Sequence, residues 1–334
     1  MKIIVTGGAG YIGSHMVLLL IQNGHIPIVI DNFINSNEYN LNKIKEVTGK
    51  DFIIYKKDVL EDLSDIDTNG VNGIMHFAAL KAVGESVEKP AEYYKNNVAG
   101  TINVVNFALS KGIKNFIFSS TAAVYSEKVE PPFNEESSVY PANPYGWTKY
   151  FSERVLQDTA QTGKLNSVAL RYFNVAGNQE DGLIGEIAKD PKNLIPSIIV
   201  SHLGYRPTNL KIFGNDYPTR DGTAIRDYIH VLDLCEAHLK ALEYLQTHSG
   251  HFTFNLGSEN GATILEVLKT FEKVTNTKLN YEIVDRRSGD IAVSIANPNE
   301  AKKVLGWQSK RDLKQMLDSS WKWYKSGFRE ANNL

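Results

Sequence analysis

The sequence predicts an α/β fold: a doubly wound parallel sheet followed by a smaller C-terminal domain. Three observations carry that expectation. A strand, a glycine turn, a helix and a second strand fill residues 1–31. Strand-like and helix-like runs then alternate as far as Phe173, the pattern of parallel strands joined by crossover helices. After Asn174 the pieces shorten and loops separate them, which sets residues 1–173 apart from residues 174–334 as two domains.

Lys2-Ile3-Ile4-Val5-Thr6 reads as a short buried strand, and Gly7-Gly8-Ala9-Gly10-Tyr11-Ile12-Gly13 follows it directly. A helix runs from about Ile12 to Gln22, where Asn23-Gly24 stops it. Pro27–Asp31 is the second strand, completing a Rossmann dinucleotide-binding unit. Gly7, Gly10 and Gly13 let the backbone turn tightly and approach a pyrophosphate. The N–H groups and dipole of the helix N-terminus would hold that group. Asp31 closes the second strand, eighteen residues after Gly13. A carboxylate there accepts both ribose hydroxyls of an adenosine and repels a 2′-phosphate. The following Asn32-Phe33-Ile34-Asn35-Ser36 contains no arginine to neutralise such a phosphate. The expected cofactor is therefore NAD, not NADP.

Phe52–Lys56 is a third strand, leading to Asp58-Val59 beside an adenine edge. Gly73–Ala79 is a fourth, Pro90–Ser110 a long helix and Asn115–Ser120 a fifth strand. After the loop Thr121–Asn143 a helix opens at Pro144, whose missing N–H costs nothing in a first turn. Ser167–Phe173 is the sixth strand. Ligands of such sheets sit beyond the strand C-terminal ends, where Thr6, Phe77-Ala78, Ser119-Ser120-Thr121 and Phe173-Asn174 fall. Tyr145 and Lys149 are i and i+4 on the helix, so both face one pocket, across from Thr121. A free tyrosine has a pKa of about 10 and is a poor base at neutral pH. Lys149, helped by a cofactor's positive charge, is expected to pull the Tyr145 phenol down.

In the second half, Leu210–Phe213, Asp227–His230 and Asn280–Val284 are strand-like. Thr263 caps a helix in which Ile264, Val267, Leu268 and Phe271 share a face. Two last helices span about Pro298–Leu305 and Arg311–Ser326. Part of Arg226–Gly257, including the helical run His230–Leu245, is expected to pack back on the first domain. Arginines in this half suit an anionic substrate.

Composition narrows the function classes. Hydrophobic residues at 42% and charged ones at 22% are those of a globular domain. A net charge of −2 offers nothing to nucleic acid or to an anionic membrane. No apolar run approaches the length of a membrane span, and the N-terminus has no signal-peptide pattern. A single cysteine, Cys235, excludes an internal disulfide and suits a reducing, cytoplasmic setting. The eight histidines form no ligand cluster, so no metal is expected.

The chain resembles the extended short-chain dehydrogenase/reductase family and, within it, the epimerase branch. The likeness runs nearly end to end. It includes V-T-G-G-A-G-Y-I-G-S-H at 5–15, H-F-A-A-L-K-A-V-G-E-S-V at 76–87, F-I-F-S-S-T-A-A-V-Y at 116–125 and P-Y-G-W-T-K at 144–149. It continues with L-R-Y-F-N at 170–174, I-F-G-N-D-Y-P-T at 212–219 and D-G-T-A-I-R-D-Y-I-H at 221–230. The resemblance implies NAD-dependent inversion at C4 of a UDP-hexose, glucose to galactose and back. It makes Tyr145 the catalytic base, Lys149 its electrostatic partner and Thr121 the hydroxyl on the sugar oxygen. It brings the cofactor against Tyr11, Ile12, Asp31, Asn32, Asp58 and Val59 on its adenosine side. Phe77, Ala78, Lys81, Asn96, Tyr145, Lys149 and Phe173 would meet the rest.

The resemblance further implies that a UDP-sugar meets Asn174, Asn193, Leu194, Phe213, Arg226, Arg287 and Asp290, with Lys211 contacting uridine through its backbone. Ser294, four positions after Asp290, would line the wall beside the sugar C2 substituent. A small residue there admits N-acetylated hexosamines as well. A homodimer is implied too, with helices Pro90–Ser110 and Pro144–Asp158 packing as a four-helix bundle. One rival on the same fold, a nucleotide-sugar 4,6-dehydratase, needs an acid directly after Thr121, where Ala122 and Ala123 stand. Another, an NAD-sensing regulator without catalysis, would tend to lose the Tyr or the Lys, and both are present.

Overall fold

The computed structural model describes residues 1–187, 191, 193–205, 210–287 and 290–332. Its first half alternates as the sequence predicts. The strands are β1 Lys2–Thr6, β2 Ile26–Asp31, β3 Ile53–Lys56, β4 Val71–His76, β5 Asn115–Ser119 and β6 Asn166–Tyr172. Between them run α1 Tyr11–Gln22, α2 Tyr39–Thr48, α3 Val83–Glu88, α4 Pro90–Tyr93, α5 Gly100–Ser110 and α6 Pro144–Gln161. α6 starts where Asn143 caps it, the side-chain oxygen accepting from Gly146 N at 2.9 Å.

Two details differ from expectation. Pro90–Ser110 is not one regular helix, because wider π-helical turns over Tyr94–Ala99 join α4 to α5. Inside those turns the buried Asn97 amide clamps the loop after β4. Its oxygen accepts from Leu80 N at 2.8 Å, and its nitrogen donates to Leu80 O and to Thr148 Oγ1 at 3.0 Å each. Helix α2 carries no strong apolar period; only Asn40, Leu41 and Ile44 are buried, so nothing in its pattern announces it.

The second half contains β7 Asn174–Ala176, α7 Leu194–His202, β8 Leu210–Phe213, β9 Ile225–Arg226, β10 Tyr228–His230 and α8 Val231–Tyr244. It continues with β11 His251–Leu256, β12 Ala262–Thr263, α9 Ile264–Thr275, β13 Tyr281–Val284 and β14 Val293–Ser294. Helices α10 Asn299–Leu305, α11 Leu313–Lys325 and α12 Gly327–Asn332 end it. Thr263 and Glu266 form a capping box at the start of α9, and Asp312 and Gln315 do the same for α11.

The main sheet is parallel, with strand order β11-β6-β5-β4-β1-β2-β3. The order reverses between β1 and β4, the place where such sheets open a ligand crevice. Strand β11 hydrogen-bonds to β6 along its length, and α8 packs its apolar face into the same core as α1. The return to that core is longer than Arg226–Gly257. Ala301, Leu305 and Trp307 join it as well, and Trp307 Nε1 donates to Asp233 O at 2.9 Å. A separate core holds α7, α9 and α11 around Ile198, Phe271 and Trp323.

Candidate active site

At the reversal of strand order a cleft of about 650 Å³ opens, with the glycine turn on one side and Tyr145 and Lys149 on the other. The turn closes because two of its residues have no side chain. Gly7 takes a left-handed φ of +68°, and a Cβ there would stand 2.7 Å from Ala78 N. A Cβ on Gly13 would stand 2.1 Å from Gly7 O. No side chain caps α1 and no acidic residue occupies its first turn, which leaves its positive end to the cleft. Asp31 ends β2, buried, and accepts from Ala9 N at 2.9 Å, Phe33 N at 2.8 Å and Ser36 Oγ at 3.0 Å. A glycine cradle, a bare helix N-terminus and a carboxylate along one cleft fit a dinucleotide.

Most expected cofactor residues line this cleft: Gly7, Gly10, Tyr11, Ile12, Gly13, Asp31, Asn32, Asn35, Ser36, Val59, Phe77, Ala78, Lys81 and Asn96. Asp58 is one step removed and accepts from Asn32 Nδ2 at 2.7 Å. Phe173 is buried in a small cluster with Val124, Tyr125, Phe133 and Ala296. Glu186 was not anticipated; it lines the cleft and pairs with Lys81 at 2.9 Å. A lone carboxylate in a loop carries no spacing signal that would have found it. Ser119 and Tyr172 line the cleft too, joined by a 2.6 Å hydroxyl–hydroxyl hydrogen bond.

Tyr145 and Lys149 sit on the inward face of α6, 8% and 4% exposed. Lys149 Nζ donates to Ser119 O at 2.9 Å and lies 4.9 Å from the centre of the Phe118 ring. Burial pushes the Tyr145 phenol up to about 12, against a hydrogen bond from Thr121 that favours the phenolate. Burial brings the Lys149 ammonium down to about 7, opposed by the Glu153 carboxylate. The expected lowering joins Lys149 to a cofactor's positive charge; burial by itself penalises both charged forms.

The residues expected to meet a UDP-sugar lie on β7, β8, β9, β14 and the segments beside them. Arg226 Nη1 donates to Ile291 O at 2.9 Å, and its Nη2 lies 3.7 Å from Asp290. Ser294 is Arg226's register partner in the β9–β14 pair, half-buried. The Arg287 guanidinium lies 3.7 Å from the centre of the Phe213 ring. Lys211 is exposed on β8, and Asn174 Nδ2 donates to Asp227 O at 3.1 Å. Asn193 lines the dinucleotide cleft, and Leu194 begins α7 just after it. Ser288 and Gly289, between Arg287 and Asp290, lie outside the described residues. A 2′-phosphate has no arginine among the residues lining the cleft.

The family model described as "NAD dependent epimerase/dehydratase family" matches residues 3–257. The chain belongs to that family. Among its relatives in the family, a UDP-glucose 4-epimerase of Haemophilus influenzae is 45% identical over 339 residues, covering 99% of this chain and 100% of that one. A UDP-glucose-4-epimerase structure from Stenotrophomonas maltophila, with bound NAD and formylated UDP-arabinopyranose, superposes with a TM-score of 0.94. It is 39% identical over 99% of this chain and 100% of its own. A UDP-Glc/GlcNAc 4-epimerase from Campylobacter jejuni is 36% identical, covers 97% and 99% of the two chains, and has a TM-score of 0.82. The seven-stranded parallel sheet and its flanking helices are the architecture these family members share.

Proposed function

We propose that the chain interconverts UDP-glucose and UDP-galactose by transient oxidation at sugar C4, with NAD as its cofactor. The observation that carries this reading is the meeting of Tyr145, Lys149 and the glycine turn on one cleft. The full-length likeness to UDP-glucose 4-epimerases supports the substrate. When bound, NAD supplies a reversible acceptor for the C4 electron pair and a positive ring that favours phenolate. Tyr145 takes the proton of the sugar 4-hydroxyl as the bond to C4 is oxidised, and gives it back on reduction. Thr121 holds the same oxygen, and Lys149 balances the phenolate charge. Arg226 and Arg287 grip the diphosphate, so the hexose turns about its phosphate bonds while its anchor stays fixed. Presenting the opposite face of C4 inverts the centre.

The test is direct. The purified protein should show the ultraviolet absorbance of bound nucleotide. It should also convert UDP-galactose to UDP-glucose, followed with a coupled UDP-glucose dehydrogenase. Bound NAD without turnover of either sugar would overturn the reading.

A wider substrate range is favoured by one observation: Ser294, with a small side chain, is the register partner of Arg226. With the hexose held near Arg226, that small side chain would leave room for an acetamido group, so UDP-GlcNAc and UDP-GalNAc are further substrates in this reading. The residue roles go with a division into an NAD-binding part, 1–173, and a UDP-sugar-binding part, 174–334. A homodimer through α5 and α6 is supported by an exposed apolar strip. Phe151 is 42% exposed and stacks on Trp147, Tyr140 packs edge-on against Trp147, and Ile102 lies open on α5. Among the described residues no helix is long and apolar enough to cross a membrane. The buried free Cys235 suits the cytoplasm.

A further inference from the structure

The inward row of α6 does not end at Lys149. One turn further on stands Glu153, its side chain 5% exposed, in line with Lys149 and Tyr145. Arg171 of β6 grips it with both arms of the guanidinium, Nη2 to Oε2 at 2.6 Å and Nε to Oε1 at 3.0 Å. Ser120 Oγ donates to Glu153 Oε1 at 2.5 Å. Ser119, which ends β5, and the two residues after it are therefore held in turn by three residues of one helix face. Ser119 O accepts from Lys149, Ser120 binds Glu153, and Thr121 binds Tyr145.

Stability alone does not account for such a pair. Replacing a buried ion pair by apolar groups is often neutral or stabilising, whereas a lone buried charge is costly. We infer that Glu153, paired with Arg171, is a positioning residue that locks Ser119–Thr121 against α6 and sets its carboxylate one helix turn from Lys149. The inference rests on the catalytic reading of Tyr145 and Lys149.

The other titratable groups nearby do not supply that negative charge. Around Lys149, burial holds His76 of β4 neutral, down to about 3, and keeps the Tyr172 phenol of β6 protonated. Around the ion pair, burial pushes Tyr125 up to about 12 and holds His251 of β11 below its ordinary value. The Glu135 carboxylate, raised by burial, is occupied by Asn255 N at 2.6 Å. Glu153 is the carboxylate that acts on Lys149.

The experiment compares wild type with Glu153→Gln, which removes the buried carboxylate and leaves an acceptor for Ser120. Two midpoints are read. One is the alkaline limb of kcat against pH, and the other is the pH dependence of Lys149 acetylation by acetic anhydride, followed by peptide mass spectrometry. A carboxylate favours the ammonium, so its loss should lower both midpoints by about one pH unit. Unmoved midpoints overturn the inference, whatever happens to Tm. Should Glu153→Gln not fold with Arg171 left unpaired, Glu153→Gln/Arg171→Met is read by the same acetylation, with a smaller downward shift because the cation leaves with the carboxylate. Wild-type turnover tests the catalytic reading separately, and acetylation tests Glu153 even where turnover is absent.

Discussion

Gly13→Ala is expected to cost the protein its cofactor before it costs the fold. The added Cβ would lie 2.1 Å from Gly7 O and 2.8 Å from Gly8 Cα, both backbone atoms that no rotamer can move aside. Real Cβ contacts stay beyond 3.0 Å, so Gly7 O must retreat by about 0.9 Å. That oxygen accepts from Gly10 N at 3.1 Å, while Gly7 N donates to Ile30 O at 2.8 Å. The retreat therefore loosens the turn that faces the pyrophosphate. Overpacking of this kind costs about 1–3 kcal/mol, a loss of a few degrees in Tm for a chain of this size. A misplacement approaching 1 Å in a binding constellation costs on the order of 10²-fold. The measurement is bound nucleotide per chain by absorbance, alongside a thermal melt. Gly24→Ala is the control, since its φ of +73° strains an added side chain but nothing lies within 4 Å. It should lower Tm by a comparable amount and keep the nucleotide. Full nucleotide occupancy in Gly13→Ala would refute the reasoning.

Tyr145→Phe should keep bound NAD and lose about 10²–10⁴-fold in kcat; near wild-type epimerisation would remove Tyr145 from the mechanism. Ser294→Tyr should abolish turnover of UDP-GlcNAc while sparing UDP-glucose, read by assaying all four sugars with both proteins. Burial holds His15 and His238 near 4 and His76 and His230 near 3, so each is neutral in the fold. The unfolded chain takes up these protons below about 6.5, so their stabilisation is complete above that pH and declines as pH falls. The loss is roughly 2 kcal/mol per histidine at pH 5, and a Tm that is flat from pH 7 to 5 would contradict it. Phe151→Glu should convert the proposed homodimer to a species near the 37.3 kDa chain mass by light scattering, and a wild type already at that mass would exclude that dimer.

The parts of the fold legible beforehand were those in which one local rule acts alone. Gly7 and Gly13 announce a turn because backbone atoms crowd both, and Asp31 is found by its offset from them. Helix α2 escaped because Tyr39–Thr48 buries too few apolar side chains to show a period. The π-helical turns over Tyr94–Ala99 escaped because the contacts they make, Asn97 to Leu80 and Thr148, join residues far apart in the chain. The run of residues 301–307 back to the first core follows from Trp307 meeting Asp233, a contact across 74 positions.

The site divides the same way, and spacing alone does not give its electrostatics. An i, i+4 pair says that Tyr145 and Lys149 share a face; it says nothing of how dry that face is. With both side chains nearly enclosed, the phenol sits up at about 12 and the ammonium down at about 7. Left to itself the protein therefore carries its base in the protonated form. A positive charge brought into the cleft favours the phenolate, and Glu153 favours the ammonium beside it. The dry pocket thus ties base formation to cofactor binding: the same burial that suppresses the phenolate in the empty cleft strengthens every charge interaction once a cation is inside. In the proposed reaction Tyr145 would act as a base because of what enters the cleft, and α6 supplies the place for it.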